Sequence, residues 1–218
     1  MSIPLAPKLA KVLLESSMKM VRLERDNLAM ELDFLKSQVS PHFLFNILNS
    51  IYRMSEKNDP ETPATILRLS NLMRYVLYQG KDDEIQLSKE VEFIMNYIDL
   101  ARIRYGDKVP LQTDIAAIDE PYKIVPLILI PFVENAFKHG PDRSRNDSRV
   151  DVSLKITDDT LLLTVKNGVN HLAEKPTIGG VGLQNVRRRL ELHYPKRHSL
   201  DMTETNNSYI VKLSVKLK

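Results

Sequence analysis

The 218 residues carry 31 basic and 28 acidic side chains for a formal charge of +3, with 43% hydrophobic and 27% charged residues. That is enough apolar material to bury a core in one large domain or two small ones, and the near-balance of charge gives no reason to expect nucleic acid, whose binders concentrate basic charge on one face. Cysteine is absent, which excludes disulfides, thiol catalysis and cysteine metal sites and fits a reducing compartment. The longest strongly apolar stretch, Ile124 to Val133, is about half of what a helix needs to cross a bilayer. Met1 to Ala10 has no apolar h-region, so no signal peptide is expected. A soluble chain follows, with any membrane-spanning part of a longer receptor lying upstream.

Apolar residues at Leu14, Met18, Val21, Leu28, Leu32, Leu35 and Val39 step by threes and fours, interrupted only by Arg25, the seam of a long helix that wants a partner helix. Past Pro41 the stripe broadens through Phe43, Leu44, Ile47, Leu48 and Ile51, which suits a bundle. Asn58, Asp59 and Pro60 break this helix, and a second begins near Glu61 with Ile66, Leu69, Leu72, Met73 and Val76 on one side, making a helical hairpin. After the loop Gly80 to Asp83, Ser88 is the expected N-cap of a third helix running to Gly106 and linking the two halves. Strand alternation then occupies Val109 to Ile115, followed by an apolar helix around Pro126 to His139 and strands near Val150 to Thr157 and Thr160 to Lys166. A glycine turn at Gly179 to Gly182 leads into a helix to about Tyr194, and strands near Ser199 to Thr205 and Tyr209 to Lys216 finish the chain. The expected class is α+β: a helical hairpin in residues 1–106, then an α/β sandwich in 107–218 with a mixed sheet of about five strands and about three helices on one face.

Two segments bear on chemistry. In Pro131 to Gly140, the side chains of Glu134, Asn135, Lys138 and His139 share one helix edge, since residues three and four apart are neighbours. An amide oxygen can ligate Mg²⁺, a lysine can neutralise phosphate, and a carboxylate can orient or deprotonate a nucleophile; the same edge also fits a helix that simply meets water. In Gly179, Gly180, Val181, Gly182, Leu183, Gln184, Asn185, glycines before a helix N-terminus let backbone N–H groups approach an anion, although a plain strand-to-helix turn has the same look. Neither is a Rossmann or P-loop fingerprint, because no third glycine and no Gly-Lys-Ser/Thr follows.

Together and in this order, the two segments resemble the N-box and second glycine box of the GHKL ATPases. The run Gln38 to Asn49, QVSPHFLFNILN, resembles the phosphoacceptor box of the LytS-like sensor histidine kinases, and the resemblance covers about residue 25 to the end. It implies a GHKL-type ATP-binding sandwich behind a dimerisation hairpin, with Mg²⁺ and ATP as cofactors. Asn135 would ligate the Mg²⁺, Glu134 would assist phosphoryl transfer, and Lys138, His139 and Gly140 would line the phosphate side. Gly179, Gly180, Gly182 and Leu183 would form the lid hinge and phosphate cradle. The lid would be the short stretch with His171, Lys175 and Pro176. Where most of the superfamily receives the adenine amino group on an aspartate, this chain has Asn167 before Gly168, a neutral and weaker acceptor.

In this reading His42 takes the γ-phosphate, since imidazole is a competent nucleophile near neutral pH. Pro41 disfavours helical geometry at Ser40 and would bend the helix there. Phe43 follows the histidine where many relatives carry an acid, which makes Glu134 the candidate carboxylate for orienting it. Asn46, one turn on, is the candidate for positioning water that hydrolyses a phospho-aspartate. His171, His193 and His198 share no metal-ligand spacing, and Arg187 to Arg189 are expected to wrap a helix in salt bridges. The implied partners are a second copy of the chain and the receiver domain of a response regulator, with no nucleic acid. The implied location is the cytoplasmic side of a receptor anchored in the inner membrane. The alternatives are a catalytically silent dimeric scaffold and a GHKL protein-serine kinase or anti-sigma factor.

Overall fold

The computed structural model describes residues 19, 41–106, 109–118, 120–139, 149–168, 181–205 and 207–217. The chain falls into two compact units, Met1–Ser37 and Gln38–Lys218. Apart from Lys19 the first unit lies outside the described residues, and with it the seam from Leu14 to Leu35; Val39 and the expected bend at Ser40 lie outside them too.

Helix α1 (Pro41–Glu56) carries Pro41 in its first turn, where a missing N–H costs nothing. It buries Phe43 and Ile47 and leaves Phe45, Leu48 and Tyr52 exposed. Its end is a Schellman motif: Asn58 takes φ +51°, Asn58 N–H donates to Ser55 O and Asp59 N–H to Met54 O, so the last carbonyls find donors. Helix α2 (Thr62–Tyr78) follows with Pro63 in its first turn. Its expected stripe divides. Leu69, Leu72 and Tyr75 are buried, while Ile66, Met73 and Leu77 face outward.

A 3₁₀ turn, Gln79–Lys81, leads to the short strand β1 (Ile85–Gln86) and helix α3 (Leu87–Tyr105). The N-cap is Gln86 rather than Ser88 and makes no side-chain capping bond. The pairing of β1 fixes this start, because Leu87 N–H donates to Tyr122 O and leaves Ser88 inside the first turn. Gly106 takes φ +63° at the other end, as a helix-ending glycine does. Arg68 of α2 reaches Asp99 of α3 at 3.9 Å.

Strands β2 (Leu111–Ile115), β3 (Lys123–Ile124), β4 (Val150–Thr157) and β5 (Thr160–Gly168) and helix α4 (Ile130–His139) come next, then helix α5 (Val181–His193), β6 (His198–Glu204) and β7 (Ser208–Lys216). The main sheet has order β2-β4-β5-β7-β6. It is mixed: β2 runs parallel to β4 and the other pairs are antiparallel. The turn between β4 and β5 is Asp158-Asp159, both at positive φ, the twist a two-residue hairpin needs. Val150, Val152 and Leu154 on β4, Leu161, Leu163 and Val165 on β5, and Val211, Leu213 and Val215 on β7 are all buried. They meet Phe132, Val133, Ala136 and Phe137 of α4 and Leu183, Val186 and Leu190 of α5, buried likewise. Each such side chain contributes about 1.5–3 kcal/mol on leaving water. The result is the α+β sandwich expected, with a small antiparallel pair of β1 and β3 at its side.

Candidate functional site

The segment entering α4 is held by side chains from elsewhere, because its own backbone makes little regular structure. Val125 N–H donates to Tyr194 Oη at 2.9 Å, and Arg189 Nη2 donates to Pro126 O at 3.1 Å. Leu127 adopts φ +59°. Its N–H donates to Glu90 Oε2 at 2.9 Å, and Leu129 N–H donates to Glu90 Oε1 at 3.3 Å. Tyr75 Oη donates to Glu90 Oε2 as well. Burial lifts the Glu90 carboxyl above the usual range; these donors and the Arg189 charge oppose the rise. Burial also raises the Tyr75 phenol, and the neighbouring Glu90 charge adds to it.

Along α4 the apolar residues turn inward, Glu134 and Asn135 are half-buried, and Lys138 is exposed. The acid, amide and cation therefore share one accessible edge. His139 is the last helical residue, but its side chain lies outside the described residues, as do Gly140, Gly179, Gly180 and the lid stretch with His171, Lys175 and Pro176.

Helix α5 packs beside α4. The bonds from Arg189 and Tyr194 pin its C-terminal end to the segment preceding α4. Gly182 is exposed, and a Cβ placed there would meet open space; no backbone strain calls for glycine. Leu183 is buried, which leaves its backbone N–H, one of the unpaired donors of a helix start, as the group able to meet a ligand. Asn167, 4% exposed, sits near the end of the central strand β5 and donates Nδ2–H to Gly168 O at 2.8 Å. Its amide oxygen is then the atom able to accept a bond.

His42 is exposed, and Asn46 one turn later donates to its imidazole, 3.2 Å from Nε2 and 3.3 Å from Nδ1. The next residue, Phe43, is 2% exposed and stacks on Tyr97 with ring centroids 4.4 Å apart. Tyr97 meets the edge of Phe137 at 6.0 Å. Burial raises the Tyr97 hydroxyl well above its ordinary value, and the charge of Glu134 pushes it the same way. Tyr105 completes the row, stacking on Phe137 at 5.9 Å and donating from Oη to Phe137 O at 3.0 Å. An aromatic file thus runs from the neighbour of His42 to the helix bearing Glu134, Asn135 and Lys138. Among the other basic residues, Arg189 donates to the Pro126 carbonyl, and Arg187 contacts Met202 Sδ at 3.8 Å.

Glu90 and Tyr75 escaped the sequence reading. The signal for Glu90 was its place on the buried stripe of α3, in step with Leu87, Ile94, Tyr97 and Ala101; a charge there needs donors aimed at it.

The family profile described as Histidine kinase matches residues 30–109, which include the His42 helix and all of α3. The sensor protein LytS of Staphylococcus haemolyticus (strain JCSC1435) is 29% identical over 187 residues, covering 80% of this chain and 32% of that protein. The chain is similar to the LytS-like sensor histidine kinases. The sensor histidine kinase YpdA of Escherichia coli (strain K12) is 32% identical over 174 residues, 75% of this chain and 30% of the relative. The chain thus spans about a third of the length of these relatives. Among solved structures, the histidine kinase domain of the blue-light activated histidine kinase EL346 from Erythrobacter litoralis is 17% identical, with a TM-score of 0.45 over 87% of this chain and 96% of that one. Among the described residues, no helix is long and apolar enough to cross a membrane.

Proposed function

We propose that this chain binds Mg-ATP between the α4 edge and the first turn of α5 and transfers the γ-phosphate to His42. The observation that carries the reading is the double role of α4: its open edge holds Glu134, Asn135 and Lys138, and its buried edge reaches the His42 helix through Phe137, Tyr97 and Phe43. An imidazole nitrogen of His42 attacks the γ-phosphorus, the bond from phosphorus to the β–γ bridging oxygen breaks, and ADP leaves with that oxygen and its electron pair. Such a transfer asks chiefly for in-line placement and charge neutralisation.

Lys138 and His139 would meet the phosphates from one side. Backbone N–H groups of Gly179, Gly180, Gly182 and Leu183, with Gly140 opposite, would meet them from the other. The open space beside Gly182 suits close approach of an anion. Glu134 would orient the nucleophile, and Asn167 would accept from the adenine amino group. Among the described residues no group of three or more His, Cys, Asp or Glu could hold a metal. That fits a Mg²⁺ held mostly by phosphate oxygens and water, with Asn135 as a protein ligand. When bound, the ion neutralises charge on the transferring phosphoryl group.

Residues 1–106 would supply pairing and the phosphoacceptor, and 107–218 most of the nucleotide site. The outward apolar residues Phe45, Leu48, Tyr52, Ile66, Met73 and Leu77 support pairing with a second copy. From His42 the phosphate would pass to an aspartate of a response regulator, and Asn46, already bonded to the imidazole, would position water that hydrolyses that phospho-aspartate. The location would be the cytoplasmic side of a membrane receptor.

Incubation with γ-labelled ATP and Mg²⁺ tests the proposal. Acid-labile, alkali-stable label is expected on the native chain, absent from His42→Gln and much reduced in Asn135→Ala; label retained on His42→Gln would refute it. The neutral Asn167 favours a second reading, a silent scaffold, which would show neither nucleotide binding nor label.

A further inference from the structure

Glu90 lies on α3, outside both the phosphoacceptor helix and the nucleotide edge, and its side chain is fully buried. It joins three parts of the molecule. Oε2 takes the hydroxyl of Tyr75 from α2 and the N–H of Leu127, and Oε1 takes the N–H of Leu129. Leu127 and Leu129 are themselves fully buried, so without the carboxylate both N–H groups would be stranded in apolar surroundings. Leu127 also holds a left-handed backbone conformation that non-glycine residues reach only at a cost. The Glu90 side chain thus does for the entry of α4 what a capping residue does for an ordinary helix.

The helix so held is ten residues long, Ile130–His139, about 15 Å at 1.5 Å per residue. Asn135 and Lys138 stand on its middle and far turns, so a small tilt at the entry is enlarged where they meet nucleotide. Misplacement of a reacting group by about 1 Å can cost as much as a hundredfold in rate. Tyr75 shares an oxygen of Glu90 with Leu127, while its ring stacks on Phe93 at 4.3 Å. The second helix of the phosphoacceptor hairpin therefore touches the same atom that sets the start of α4.

We infer that Glu90 is a positioning residue for phosphoryl transfer: it aligns the nucleotide helix α4 through Leu127 and Leu129 and, through Tyr75, ties that alignment to the hairpin carrying His42. The inference rests on the kinase reading above. It predicts that two gentle substitutions act differently. Tyr75→Phe keeps the ring against Phe93 and removes only the hydroxyl, which loosens the tie to the hairpin and leaves the α4 entry held. Glu90→Gln keeps the shape but replaces one acceptor oxygen with a donor group, leaving one backbone N–H without an acceptor.

The experiment uses the whole chain, with a fluorescent ATP analogue and Mg²⁺ for affinity and γ-labelled ATP at saturation for the rate of phosphohistidine formation. Glu90→Gln is expected to weaken nucleotide binding about tenfold and to speed amide hydrogen exchange at Leu127 and Leu129. Tyr75→Phe is expected to keep affinity within about twofold and to lower the saturated rate about tenfold. A folded Glu90→Gln protein with native affinity overturns the inference, as does a Tyr75→Phe protein altered only in melting temperature, since a purely structural role predicts that result. If the native chain itself neither binds nucleotide nor takes label, the kinase reading fails first and this inference with it; a native chain that labels normally isolates the test to Glu90 and Tyr75.

Discussion

Removal of the Phe43 ring separates the docking of the His42 helix from the binding of nucleotide. The ring is 2% exposed and stacks on Tyr97 at 4.4 Å, so Phe43→Ala forfeits its burial and leaves a cavity. Such truncations cost about 3–5 kcal/mol in well-packed cores, of which the aromatic pair accounts for about 0.5–1.5 kcal/mol. Because α1 is held onto α3 chiefly by Phe43 and Ile47, its movement can partly close the gap, and the lower end, about 3 kcal/mol, is expected. With a urea slope of about 2–3 kcal/mol/M for a chain of this size, the unfolding midpoint should fall by about 1–1.5 M. Phe43→Leu, closer in volume, should lose about 1 kcal/mol. The paired assay is phosphohistidine formation at saturating Mg-ATP: Phe43→Ala should lose most of its rate while a fluorescent ATP analogue binds as before. A midpoint within about 0.3 M of native, together with a native rate, would refute the docking role of Phe43.

Other expectations follow from single contacts. Tyr105→Phe removes the hydroxyl that donates to Phe137 O; the loss of about 1 kcal/mol should lower the melting temperature by about 2–4 °C in a calorimetric scan. Leu77→Glu, on the outward side of α2 where Leu77 is 56% exposed, should shift light scattering from dimer to monomer with little change in melting temperature; an unchanged dimer would remove this face from the pairing surface. Asn167→Ala should weaken ATP binding about tenfold, the worth of one hydrogen bond, as titration calorimetry would measure. Chelation of Mg²⁺ should abolish labelling of the native chain, and added Mg²⁺ should restore it.

The five strands of the main sheet were legible because apolar and polar residues alternate along them, whereas the two-residue strands β1 and β3 are too short to show a pattern. Val150 to Thr157 was read with the bounds the structure has, since valine and leucine alternate with polar residues over its length. The break at Asn58 was legible for a similarly local reason, the tolerance of asparagine for left-handed backbone. What depended on distant partners was not. Ser88 read as a cap because capping is judged from neighbours, whereas the pairing of Ile85 with Ile124 decides where α3 starts. The parallel placement of β2 beside β4 depends on where the intervening chain crosses, which alternation does not encode. In the site, the motif residues were visible as a polar helix edge and a glycine run. The groups that hold that edge in place, Glu90, Tyr75, Arg189 and Tyr194, come from other elements and carry no local spacing. The division of α2 into an inner stripe and an outer one was hidden because both stripes are equally apolar.

The position of α3 bears on how the polypeptide can be cut. Its N-terminal strand β1 zips to β3, its Glu90 binds the approach to α4, and its Tyr105 seals Phe137. A fragment beginning at residue 107 would strip these contacts from the sandwich and expose Ile124 and the Leu127–Leu129 backbone to solvent. A fragment beginning just ahead of Ile85 would keep them, and would shed the Tyr75 hydroxyl and the packing of α1 and α2 on α3, including the Phe43–Tyr97 and Tyr75–Phe93 stacks. Truncation endpoints for a free-standing C-terminal sandwich therefore belong in the Asp82 to Glu84 loop rather than after Gly106.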